Sequence, residues 1–79
     1  MLNPNPALSS NGVWIHSKND SKLNGVLFIN NSLGQEIMKV TIQNELVKLI
    51  STHQLSSGVY LVRFVNDSNE TQTEKLIIK

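Results

Sequence analysis

Gly58-Val59-Tyr60-Leu61-Val62-Arg63-Phe64-Val65 is the stretch that decides the fold. Successive side chains of a strand point to opposite faces, so Tyr60, Val62 and Phe64 share one side and Val59, Leu61, Arg63 and Val65 the other. A strand apolar on both sides belongs in the middle of a sheet. Asn66–Glu70 follows as a polar five-residue loop suited to a hairpin. Thr71 to Lys79 then forms the last strand, with Leu76, Ile77 and Ile78 at its end.

Earlier in the chain, Gly25 to Asn31 reads as another strand, with Leu27 and Ile29 on one face and Val26 and Phe28 on the other. Ser32-Leu33-Gly34-Gln35 turns the chain, because Gly34 can adopt the positive φ of a tight turn. Gln35 to Ile42 is a strand marked by Ile37 and Val40, with a bulge between them. Glu45 to Ile50 is another and leads into a corner at Gln54–Ser57. Gly12 to Ser17 forms a short strand around Val13 and Ile15, between a polar turn at 8–12 and a loop at Asn19-Asp20-Ser21-Lys22. Pro4 and Pro6 each remove a backbone donor and push the preceding residue into extended geometry, so residues 3–7 are a lead-in or an edge strand.

Composition agrees. Seven Val, seven Ile, four Thr and four aromatics stand against one alanine, Ala7, a balance that favours pleated sheet over helix. Ten Asn and nine Ser gather between the apolar runs, where their side chains bond to nearby backbone in turns. The expectation is an all-β antiparallel sandwich of about seven short strands, counting the Pro-rich start as one. Residues 1–7 are a Pro-rich lead-in or linker end, and 8–79 a single domain.

Several function classes fall away. With 79 residues the core is thin, and with no cysteine there is no disulfide, thiolate metal site or cysteine nucleophile. A formal charge of +1 does not suggest nucleic acid or an anionic membrane as partner. No apolar run approaches the roughly 20 residues of a membrane helix. Met1-Leu2-Asn3-Pro4 lacks the basic start and apolar stretch of a signal peptide, so an export signal would lie in sequence beyond these residues, with Met1 the start of an excised fragment. His16 and His53 lack metal-ligand spacing. Ser57, His53 and Asp67 form a triad only on paper, because no serine sits in a nucleophile-elbow pattern. Glu36, Glu45, Asp67, Glu70 and Glu74 are scattered as solvated faces would be. Neither catalysis nor a cofactor is expected. The sequons at Asn19, Asn30, Asn66 and Asn69 report polar turns.

Four punctuation marks, in order along the whole chain, resemble one family. Pro4-Asn5-Pro6-Ala7 opens it. Ile29-Asn30-Asn31-Ser32-Leu33-Gly34-Gln35 is similar to an Ile-Tyr-Asn-x-x-Gly-Gln strand end, with Asn30 in place of tyrosine. Ile50 to Tyr60 keeps the Leu55, Gly58 and Tyr60 skeleton of Ile-Asp-Leu-Ser-x-Leu-x-x-Gly-x-Tyr, departing at Ser51, Thr52 and His53. Lys75-Leu76-Ile77-Ile78-Lys79 matches a Lys-apolar-apolar-apolar-Lys tail that closes the chain. The chain therefore resembles the type IX (Por) secretion C-terminal sorting domains of Bacteroidetes, type A-like. The resemblance implies an Ig-like sandwich without catalytic function, carried at the end of a cargo protein. It implies as partners an outer-membrane translocon and a sortase-like peptidase that removes the domain, and a passage through the periplasm to the cell surface or beyond.

Within that resemblance, Lys75, Leu76, Ile77, Ile78 and Lys79 are the expected recognition residues, since a hydrophobic terminal strand offers an edge. The same lysines could instead be solvated gatekeepers of a last core strand. Pro4, Asn5, Pro6, Asn31, Gly34, Gln35, Leu55, Gly58 and Tyr60 are motif residues with structural roles, Tyr60 as core with its hydroxyl bonded to backbone at the preceding corner. A different class of function fits the same fold: an Ig-like or fibronectin-like module binding carbohydrate or protein, for which Trp14 would be the stacking residue if it were not packed on its sheet. A spacer is a third reading.

Overall fold

A computed structural model of the chain describes residues 2–4, 6–8, 11–18 and 21–79. Met1, Asn5 of the proline motif, Ser9 and Ser10 of the first turn, and Asn19 and Asp20 of the following loop lie outside the described residues. Among the described residues seven strands form two antiparallel sheets: β1 (Leu2–Asn3), β2 (Val13–His16) and β5 (Val47–Ile50) in the order β1-β2-β5, and β3 (Leu23–Asn30), β4 (Glu36–Glu45), β6 (Gly58–Asn66) and β7 (Thr71–Ile78) in the order β4-β3-β6-β7. The molecule is 31 × 23 × 16 Å in Cα extent, a thickness that suits two layers about 10 Å apart.

The decisive strand behaves as its pattern demands. β6 lies between β3 and β7, and Tyr60, Val62 and Phe64 are all buried. Leu27 and Ile29 of β3, and Leu76 and Ile78 of β7, join them from the larger sheet; Leu2, Val13, Ile15 and Ile50 come from the smaller one. Ile42 of β4 joins them, and Ala7 and Leu55 add to the core from connecting segments. Gly25 allows β3 and β6 to approach, since a Cβ there would collide with the Val65 carbonyl oxygen.

Three expectations for the middle strands need correction. β4 runs to Glu45, past the expected end at Ile42. Ile37 does not mark the core: Asn30 pairs with Glu36 and Ile29 with Met38, so Ile37 is the extra residue of a bulge and is 40% exposed. Inserting one residue shifts the alternation of everything beyond it, and Met38, Val40 and Ile42 take the inward positions. The strand expected from Glu45 starts at Val47, because the chain leaves one sheet and enters the other at Leu46.

The proline-rich start does supply a strand. Leu2 pairs with Ile15 and Asn3 with Trp14 on the smaller sheet, while Ala7 makes a parallel bridge to Ile78 of the larger one. One short segment thus ties both layers together.

Candidate recognition surface

The C-terminal strand divides sharply by face. Leu76 is 0% and Ile78 2% exposed, Ile77 is half-buried, and Lys75 and Lys79 are exposed. On one edge Lys75 pairs with Leu61 and Ile77 with Val59 of β6. On the other, the Ala7 amide donates to the Ile77 carbonyl at 2.8 Å and the Lys79 amide to the Ala7 carbonyl at 2.8 Å. Two of the five expected recognition residues are therefore core, and the outer edge at 77–79 is occupied by Ala7. The outward-facing positions remain.

The motif residues build turns and corners. Asn31 Oδ1 accepts from the amides of Leu33 (2.9 Å) and Gln35 (3.0 Å), and its Nδ2 donates to Gln35 Oε1 at 2.9 Å. Gly34 sits at φ 85 in the same turn. The Asn66 loop repeats this clasp. Asn66 Oδ1 accepts from Ser68 (3.0 Å) and Glu70 (2.9 Å), its Nδ2 donates to Glu70 Oε1 at 3.0 Å, and Asn69 takes the left-handed position at φ 65. Sequence reasoning missed this second clasp, although Asn-x-x-Asn-Glu against Asn-x-x-Gly-Gln was the available signal. At the corner before β6, Leu55 is 2% exposed and the Tyr60 hydroxyl donates to the Ser56 carbonyl at 2.7 Å, the tyrosine-corner arrangement of Ig-like sandwiches. Thr52, one of the departures from the motif, is fully buried and its hydroxyl reaches the Leu8 carbonyl at 3.4 Å. Gly58 opens β6 at φ 156, and Pro4 and Pro6 are exposed.

The secretion system C-terminal sorting domain family matches residues 1–79, the whole chain. The chain belongs to this family. No curated protein matches it. Its family is a type IX secretion sorting signal rather than a known catalytic domain, and it implies attachment to a cargo that is secreted across the outer membrane, to the cell surface or outside.

Ser57 and Asp67 stand at opposite ends of β6, about 30 Å apart at about 3.3 Å per residue, so the triad on paper cannot assemble. No group of three His, Asp or Glu among the described residues can hold a metal ion, and no helix among them is long and apolar enough to cross a membrane. A polar cleft of about 560 Å³ opens at one end, bordered by His16, Lys22, Asp67 and Glu70. Trp14 lies on the outer face of the smaller sheet, 42% exposed, across from Leu49 and Asn3. It packs on the sheet surface, not in the core.

Proposed function

We propose that this domain is the part of a longer exported polypeptide that an outer-membrane translocon recognises in the periplasm, and that a sortase-like peptidase later cuts it from the cargo on its N-terminal side. Within Lys75–Lys79, the readable groups are Lys75, Ile77 and Lys79. The observation carrying this reading is the division of β7: Leu76 and Ile78 hold the fold while their neighbours face outward. A receptor that reads the folded domain meets only that second set.

The test is a reporter with its own signal peptide fused ahead of residues 1–79 in a type IX-competent bacterium. The reporter is expected outside the cell, and in the periplasm of a strain lacking the translocon. Retention in the periplasm of the competent strain, with the domain folded, would overturn the reading. Exchanging Lys75, Ile77 and Lys79 for alanine separately tests the residue assignment, which fails if all three variants are exported like the parent. The carbohydrate-binding alternative predicts instead that oligosaccharides change the fluorescence of Trp14, the single tryptophan.

A further inference from the structure

The outer face of the four-stranded sheet has a composition that the core does not require. Across one row, Lys39, Phe28, Arg63 and Thr73 are successive ladder partners on β4, β3, β6 and β7. Asn30, Leu61 and Lys75 form the next row, and Val59 and Ile77 the one beyond. Leu61 is 52% and Val59 46% exposed. Arg63 and Lys39 lie over the Phe28 ring, 4.9 and 5.9 Å from its centroid. Three of the seven cations thus flank an apolar centre, while Glu36, paired with Asn30 at the sheet corner, is the one acidic residue in these ladder rows among the described residues.

We propose that this face docks a protein surface with an apolar centre and a carboxylate rim, and that the docking is a step in the recognition of the domain during secretion. The inference rests on the sorting reading above and extends the recognised surface from β7 across β6, β3 and β4. Charge chooses the occupant. A second copy laid face to face would bring Lys39, Arg63 and Lys75 against their own kind, which costs free energy at an interface. A lipid surface suits a run of apolar side chains free to insert, whereas Phe28 at the centre of this face is capped by two cations. An acidic partner satisfies both features. The outer face of the smaller sheet, with Trp14, Val47 and Leu49 exposed, carries no such cluster of cations among the described residues and selects no partner.

The test uses the same reporter fusion with Lys39→Glu and Arg63→Glu combined, positions outside the C-terminal tail. Export is expected to fall at least fivefold, to survive the charge-keeping pair Lys39→Arg and Arg63→Lys, and to survive Lys18→Glu with Lys22→Glu on a distant loop. Export of the folded reversed variant at the parental level would overturn the inference and leave the sorting reading standing; a parent that is not exported would overturn the sorting reading itself. If the double variant does not fold, Leu61→Asn and Lys39→Glu replace it as single exchanges at exposed positions, each expected to lower export at least twofold, and parental export of both overturns the inference. Two measurements on the purified chain name the rivals. Salt-sensitive pelleting with phosphatidylglycerol vesicles, or a dimer in sedimentation equilibrium, that the reversal abolishes would replace the acidic protein with a membrane or a second copy.

Discussion

A Cβ built on Gly34 would meet nothing within 4 Å, so any cost of replacing this residue comes from its backbone at φ 85 alone. Gly34→Ala should therefore destabilise the domain by about 1–2 kcal/mol, the usual cost of a left-handed conformation for an L-residue. Gly34→Asn should cost less, since asparagine bonds locally in that conformation and Asn69 already occupies the matching place in the second turn. Urea unfolding midpoints should fall in the order Gly, Asn, Ala. An alanine variant as stable as the parent would refute the turn analysis. Tyr60 gives a second test at this scale. Its hydroxyl bonds to the Ser56 carbonyl, with the Ser56 hydroxyl farther away at 3.3 Å. Tyr60→Phe should lose about 1 kcal/mol, whereas Ser56→Ala keeps the accepting carbonyl and should leave the midpoint almost unmoved. Equal losses in the two variants would mean that the side-chain contact is the one that matters.

At the scale of the element, β7 serves packing and display together, and this governs how its role can be measured. Truncating a buried leucine to alanine costs about 2–5 kcal/mol, and a domain of this size has only about 4–12 kcal/mol in total. Deleting 75–79 removes both Leu76 and Ile78, together with the partners of Ala7. The truncated chain should lose its cooperative thermal transition by circular dichroism, whereas Ile77→Thr and Lys79→Ala should keep it within about 1 kcal/mol of the parent. A sharp, parent-like melt after the deletion would show that β7 is an appendage to the sandwich. The same dual use explains what was legible beforehand. β3 and β6 alternate without interruption, and the two-sided apolar pattern of β6 placed it in the middle of the sheet. β4 was harder to read because Ile37 is inserted and Asn44, at φ 58, breaks the ladder again between Gly25 and Leu23. Neither event changes the residue types that a periodicity detects. The five-residue tail was legible as a motif, but not which of its members face the core, since three consecutive apolar residues fit either register.

For the molecule as a whole, the decisive contact is made by residues that no hydrophobic pattern would nominate. Leu2 is buried in the smaller sheet beside Ile15, and five residues later Ala7 lies against β7 of the larger sheet, 2% exposed. The segment is therefore a clip across the open edge between the layers, and the hydrogen bonds of Ala7 to Ile77 and Lys79 cover backbone groups at the end of the strand that displays Lys75, Ile77 and Lys79. Edge strands left with free donors and acceptors invite pairing with other chains, so the clip protects the part of the domain proposed to be read. Its geometry depends on a small side chain. Ala7→Leu should overpack the site and cost about 1–3 kcal/mol. Hydrogen exchange localises the effect: the Lys79 amide, protected in the parent by the Ala7 carbonyl, should exchange nearly as fast as in an unstructured peptide, while the Val62 amide in the centre of the sheet keeps most of its protection. Unchanged exchange at Lys79 would mean that the strand is held by β6 alone and that the lead-in merely rests on it.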